Sequence, residues 1–410
     1  MRVAMLVTEF PSVSETFILD QITGLVARGH EVDIFAEREG ERSPVHPDVE
    51  KYGLLNVTSY ERTPRNRLRR VLNIPRLLRP RDRRSFDASL RALNVFEYGA
   101  RAASLRLLYA AALFAGRKPY DIIHCHFGPN GVKGALLRDI GATRGRLVTS
   151  FHGYDLSAYT KERGAKVYQT LFSKGDLFLP VSERWGARLV EMNCPRAKIR
   201  THRTGVDLSE FAFREPRPPA DGRISVVTVA RLVEKKGLEY GVRAVARLIK
   251  EGRRVEYDIV GDGALREHLQ SVIDEAGAGG AIRLAGWKSR REVRGMLQRA
   301  HVFLAPSVTS AEGDEEGIPV ALMEAMATGL PVVCTAHSGI PELVQDGVTG
   351  LLAPEGDALA LAERLGFLID HGHSWRDLAR RARAAVEERH DIARLNDELV
   401  EVYRRLIRED

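Results

Sequence analysis

The chemistry in this chain of 410 residues centres on two glutamates, two cations and a set of strand-end histidines. In the segment APSVTSAEGDEEGIPVALMEAMATGLPVV, Pro319 suits the first turn of a helix and Gly329 its stop, so Glu324 is the sole charge in an otherwise apolar helix. A carboxylate placed there needs hydrogen-bond donors. A vicinal diol such as ribose supplies two, and an internal arginine is the competing partner. Glu316 lies eight residues earlier in the preceding loop, where free amides of Gly317 and Ile318 can meet an anionic ligand. In ARLVEKKGLEYGVRAV, Arg231 ends a strand and Lys236 follows five residues later. Two cations on one loop repel each other unless they share an anion, and a diphosphate fits both a guanidinium fork and an ammonium point charge. Solvated surface charge is the competing explanation for Lys235, less so for Arg231.

His152 ends a strand in SFHGYDLS, with Asp155 three residues later. From there an imidazole oriented by its neighbours can reach a substrate hydroxyl; a hydrogen-bonded structural histidine is the equal alternative. His124 and His126 point to one face of another strand end, where packing is favoured over metal ligation because no carboxylate at a suitable spacing accompanies them. IVGDG lacks the third glycine of a dinucleotide fingerprint and reads as a turn. After the first strand, Ser12 and Glu15 have capping-box spacing ahead of a helix that stops at Gly29.

These residues need strand ends to hold them. Apolar, β-branched runs at Val3–Val7, Glu31–Ala36, Asp121–His126, Leu147–His152 and Leu177–Val181 form one series of strands. Ile224–Ala230, Glu256–Val260, Ile282–Ala285, Val302–Ala305 and Val332–Thr335 form a second. With helices between them, the ten strands predict two doubly wound α/β halves, in which ligands bind outside the carboxyl ends of the strands. FREPRPPADGR (213–223) reads as the linker between a domain at 1–212 and a second at 224–384. The stretch 385–410 reads as a helix, with Ile392, Leu395, Leu399, Val402 and Leu406 on one stripe that can pack across either half.

Composition sets outer bounds. Hydrophobic residues at 44% and charged residues at 29% describe a folded globular chain. The longest purely apolar run, Leu107–Ala115, is nine residues, half of what a bilayer span needs. The N-terminus lacks the apolar core and cleavage site of a signal peptide, so a cytoplasmic protein is expected. Three cysteines without CxxC spacing suggest neither disulfides nor a zinc site. Of the net charge of +7, the stretch Arg62–Arg84 alone carries ten arginines and one acid, leaving the remainder close to neutral. Basicity confined to one segment argues against nucleic acid and for contact with an anionic membrane surface.

Taken together, ARLVEKKG, the two glutamates in EGIPVALMEAMATGLPVV and HGYD at His152 resemble the retaining glycosyltransferases of the GT-B fold, family 4, over essentially the whole chain. FPSVSETFI with HCHFG is similar to the subset that builds exopolysaccharides such as colanic acid. The resemblance implies two Rossmann-like domains facing a cleft, with donor mainly on the second and acceptor on the first. It also implies that Arg231, Lys236 and the amides of Gly317 and Ile318 hold the donor diphosphate and Glu324 the ribose, while Glu316 and His152 act at the transferred sugar. A nucleotide sugar, with UDP as product, is then the donor substrate, a glycan or lipid-linked saccharide the acceptor, and neither a metal nor another cofactor is needed. Where many relatives carry a Gly-Gly pair in the first loop, this chain has Pro11–Ser14. The alternatives are a nucleotide-sugar epimerase of the same architecture and a non-enzymatic protein that binds anionic surfaces.

Overall fold

The computed structural model describes residues 1–12, 14–40, 46–79 and 82–408. Twelve strands form among them: β1 Arg2–Phe10, β2 Glu31–Glu39, β3 Thr58–Tyr60, β4 Ile122–His126, β5 Arg146–Phe151, β6 Leu177–Pro180, β7 Ile224–Val229, β8 Val255–Val260, β9 Ile282–Gly286, β10 Val302–Ala305, β11 Val332–Thr335 and β12 Leu351–Ala353. They make two six-stranded sheets in the orders β3-β2-β1-β4-β5-β6 and β12-β11-β10-β7-β8-β9. Every strand pairing within them is parallel. Read from the opposite edge, the second sheet repeats the order of the first. In each, the winding reverses between the first and fourth strands, so the loops after β1, β4, β7 and β10 splay apart and leave a crevice. The ten expected strands are present, most of them shifted by one to three residues at an end. The short edge strands β3 and β12 complete the sheets.

Helices cover both faces of each sheet because strands buried on two sides must be covered on two sides. The helix Val320–Thr328 starts after Pro319 and stops at Gly329, whose φ of +95° ends it in the left-handed region. The first helix, Thr16–Ala27, departs from expectation. Its N-cap is Glu15, which makes no side-chain capping bond, so the capping box anticipated from Ser12 and Glu15 is not formed.

The end of the chain is two helices, Trp375–Arg389 and Ile392–Arg408, in place of one beginning at Ala385. The break at His390–Asp391 has a cause: Val206 donates its amide to the His390 carbonyl and accepts from the Ile392 amide, so a passing backbone segment replaces helical bonds. The redirected final helix lies against Thr16–Ala27, and its Leu399, Val400, Tyr403 and Leu406 enter the core formed by β1, β2 and that first helix. The first domain is thus completed by the chain's last residues.

The arginine-rich stretch is partly structural. Arg70 is buried and donates to the carbonyls of Pro64 and Ser104, and Arg84 reaches those of Gly141 and Ala142. These two hold the segment down, and Arg81 lies outside the described residues. Arg65, Arg67 and Arg69 are exposed, as are Leu68, Val71 and Leu72 on the same short helix, Arg67–Leu72.

Leu399 is fully buried in the first domain's core. Leu399→Ala is expected to destabilise that domain by about 2–5 kcal/mol, the usual cost of a buried leucine cavity. Urea unfolding followed by circular dichroism checks this, and a shift below about 0.5 kcal/mol would show that the final helix only rests on the surface.

Candidate functional site

The residues singled out for chemistry stand at or beyond the carboxyl ends of strands in the two sheets, where the loops bearing His152 and Gly317 meet. Among the described residues, Glu316 is the most tightly organised. Its carboxylate is buried and lies 2.8 Å from Lys236 Nζ. Burial pushes this carboxyl upward, but Lys236, Lys235 and His337 together outweigh burial and hold it below the ordinary value, so Glu316 is ionised. Its backbone is pinned as well. The amide donates to His337 Nε2 at 3.2 Å, and the carbonyl accepts from Ser338 Oγ at 2.6 Å and Trp185 Nε1 at 3.3 Å. Because Nε2 accepts, His337 carries its proton on Nδ1, which donates to Glu355 at 2.5 Å.

The loops after β7 and β10 carry this ion pair and are zipped together: the Val308 amide donates to the Lys235 carbonyl at 2.9 Å. Lys235 is not a solvated surface charge. Its ammonium is largely buried and pairs with Asp314 at 3.0 Å. Gly237 serves the same packing, since a Cβ there would stand 1.9 Å from the Pro306 carbonyl oxygen, and Gly261 in IVGDG lets the end of β8 approach the Ala230 carbonyl oxygen after β7 in the same way. Arg231, by contrast, is exposed and has no ion-pair partner among the described residues.

Glu324 points from its helix without a hydrogen-bond or ion-pair partner among the described residues, which removes the internal salt bridge as an explanation for it. Burial pushes its carboxyl up to about 7, with Arg290 opposing and Asp20 and Glu210 adding to the rise. Arg290 is engaged elsewhere: its Nε lies 2.8 Å from Glu210, and its Nη1 lies 2.7 Å from His46 Nε2 and 3.8 Å from Asp20. Asp20 and His46 belong to the first domain, so this guanidinium stitches the domains together beside Glu324.

His152 arrives from the other side. Asp155 does not touch its imidazole; it accepts from the backbone amides of His152, Gly153 and Gly128, clamping the loop. The ring is set by Phe17 and Phe127, each 4.7 Å away between centroids, and by a 3.0 Å hydrogen bond between His152 Nε2 and His126 Nδ1. His126 stacks in turn on His124, which bonds Tyr403 of the final helix and Ser150. Burial and neighbouring imidazoles push the His152 pKa down to about 3, so its ring is neutral. The packing reading of His124 and His126 therefore holds, in the form of a stack supporting His152.

The two domains touch at this point. A Cβ on Gly317 would sit 2.8 Å from the His152 carbonyl oxygen, and one on Gly153, where φ is +117°, would sit 3.1 Å from Gly317 N. Only glycines allow the loops so close. The amides of Gly317 and Ile318 donate to nothing among the described residues. Both precede the helix at Val320, in the loop where sequence reasoning placed them. Sequence reasoning missed His337, Ser338 and Trp185; the first two follow β11, a strand end whose exit was not read for chemistry.

Two family profiles cover nearly all of the chain: Glycosyltransferase Family 4 over residues 14–210 and Glycosyl transferases group 1 over residues 209–387. A protein of Salmonella typhimurium with the provisional name colanic acid biosynthesis glycosyltransferase WcaL is 42% identical over 90% of this chain and 92% of its own length. The chain belongs to glycosyltransferase family 4. The amylovoran biosynthesis glycosyltransferase AmsK of Erwinia amylovora is 38% identical over 88% of this chain and 89% of its own. Among solved structures, Anabaena HepE in complex with UDP and glucose superposes with a TM-score of 0.73 at 17% identity, covering 98% of this chain and 99% of that one. The fold is GT-B, and this family 4 glycosyltransferase has its relatives in polysaccharide biosynthesis.

The Lys236–Glu316 pair makes a pH-dependent prediction. In the folded protein Glu316 is held below its ordinary value, so the pair contributes stability at neutral pH that is lost as pH falls through the folded pKa. Lys236→Met leaves a buried carboxylate without its nearest cation, and is expected to cost about 3–5 kcal/mol at pH 7. Burial then raises the Glu316 pKa, so the deficit should shrink on acidification as the carboxyl protonates. Thermal melting from pH 7 to pH 5 checks it; a pH-independent deficit would mean that Glu316 is not the group responsible.

Proposed function

We propose that this glycosyltransferase moves a hexosyl group from a nucleotide-diphosphate sugar, a UDP-sugar, to a glycan or lipid-linked saccharide, with retention of anomeric configuration and without a metal. The observation that carries this reading is the ionised Lys236–Glu316 pair on the second domain, whose Arg231 and Glu324 have no ion-pair partner among the described residues. On this reading, Arg231 and the ammonium hydrogens of Lys236 not used by Glu316 meet the diphosphate, aided by the amides of Gly317 and Ile318. Charge grows on the diphosphate as the sugar departs, and donors already in place stabilise that growing charge more than the ground state. Glu324 accepts from the ribose hydroxyls. The Glu316 carboxylate, kept charged by Lys236, faces the positive charge that develops on the sugar ring. With Glu316 committed to Lys236, its carboxylate is not free to act as the nucleophile, which favours departure and attack on one face. His152, neutral and hydrogen-bonded through Nε2, contacts the transferred sugar from the first domain. UDP and glucose bound to HepE, and the polysaccharide-building names of WcaL and AmsK, agree with this reading.

The reaction is tested by incubating the protein with a panel of UDP- and GDP-sugars and following nucleotide diphosphate release; release from GDP-sugars alone would overturn the choice of UDP. Glu324→Ala is expected to weaken UDP binding about 10- to 100-fold by calorimetry, the worth of hydrogen bonds to a charged group. Glu324→Gln should lose less. Unchanged affinity would return Glu324 to a structural role.

The proposal places the enzyme at an anionic membrane through Arg62–Arg84, where exposed Arg65, Arg67 and Arg69 flank the apolar Leu68, Val71 and Leu72. No helix among the described residues is long and apolar enough to cross a bilayer. Each arginine near acidic headgroups contributes about 1 kcal/mol within a Debye length. The protein is expected to co-sediment with phosphatidylglycerol vesicles at low salt and to release as salt rises. Changing Arg65, Arg67 and Arg69 to glutamine should abolish this; Arg70, being structural, is left in place. Equal sedimentation by that variant would remove the patch as the contact.

A further inference from the structure

Glu15 stands in the loop between β1 and the first helix, at the switch point of the first sheet, and the reaction described above gives it no task. Its Oε2 is buried without a hydrogen-bond partner. The only other such carboxylate oxygen among the described residues is Glu316 Oε1, which already has Lys236 at 2.8 Å. Glu15 is not spent on its own helix, because it makes no side-chain capping bond there. Arg38, the first-domain cation whose charge reaches it, is also taken: its Nε lies 2.7 Å from Glu9. Two residues further on, Phe17 packs against the His152 ring, so the loop opens onto the same mouth as His152 and Gly317. From across that mouth the charge of Arg231 reaches the Glu15 carboxyl.

We infer that the Glu15 carboxyl binds a hydroxyl of the acceptor sugar, an inference that rests on the proposed glycosyl transfer. A buried carboxyl without a partner needs one, and the ligand that supplies it must be a neutral hydrogen-bonding group. The diphosphate is the wrong occupant, since a carboxylate beside it adds repulsion. The donor's anchors Arg231, Lys236, Glu316 and Glu324 all belong to the second domain, whereas Glu15 belongs to the first. Burial and Glu9 push the carboxyl up to about 7 against the pull of Arg231 and Arg38, and a sugar hydroxyl can bond either protonation state, donating to the carboxylate or accepting from the acid.

Membranes from a strain lacking this chain supply the unextended acceptor. Transfer of radiolabel to them from UDP-glucose, UDP-galactose and GDP-mannose, each assayed separately, is measured against membrane concentration, with UDP affinity measured by calorimetry. For Glu15→Ala, the membrane concentration giving half-maximal transfer should rise about tenfold, the loss of one charge-assisted hydrogen bond, while UDP affinity stays within about twofold. Glu15→Gln keeps the volume and should shift it in the same direction by less; it decides the matter if the alanine variant does not fold. Unchanged acceptor dependence in both variants, or a parallel loss of UDP affinity, overturns the inference while leaving the reaction standing. No transfer by the wild-type protein from any of the three donors overturns the reaction and this inference with it.

Discussion

A buried carboxylate kept charged in the crevice is the constraint from which much of the molecule follows. Glu316 can remain ionised only if a cation is held against it, and that cation comes from a different strand end of the same sheet. The loops after β7 and β10 must therefore run side by side, which requires the glycine at 237, where a Cβ would stand 1.9 Å from the Pro306 carbonyl oxygen, and the backbone bond from Val308 to Lys235. The backbone of Glu316 must be fixed as firmly as its side chain, and two further elements contribute three groups: a histidine and a serine after β11, and a tryptophan from the other domain.

The opposing wall obeys a different rule. Its histidines are stacked and buried, so they carry no charge and add no field opposed to the cations across from them. What the first domain supplies is shape and neutral hydrogen bonding, with its backbone clamped by Asp155. The two walls approach so closely at Gly153 and Gly317 that one extra methyl group would force them apart. Arg290 adds a charge stitch next to Glu324, tying the position of the first helix to the surroundings of that carboxylate.

Much of this was legible in the residues themselves. Strong apolar runs marked ten strands, and Pro319 and Gly329 bracketed the helix bearing Glu324 because both act through local backbone geometry. The edge strands β3 and β12 escaped notice because three residues hold too little pattern to stand out. Arg70 and Arg84 were taken as surface charge because their acceptors are backbone carbonyls, up to 58 positions away, which no local reading can pair with them. His337 was hidden for the same reason: its role exists only once β10 and β11 lie side by side. Asp155 was seen, but its target was not named: a short carboxylate two or three residues from an amide reaches backbone more readily than a ring.

The final helix also sets an order of events during synthesis. The sheet of the first domain leaves the ribosome early, yet Leu399 and Tyr403, which cover β1 and the first helix, are made only after both sheets. Until that helix emerges, the apolar face on that side has no cover and Tyr403 cannot yet meet His124. A translation product that stops short of it would therefore carry both sheets but an incomplete first core, and would present that greasy face to chaperones and proteases. Emergence of the helix closes the core and seats the histidine stack in the same event.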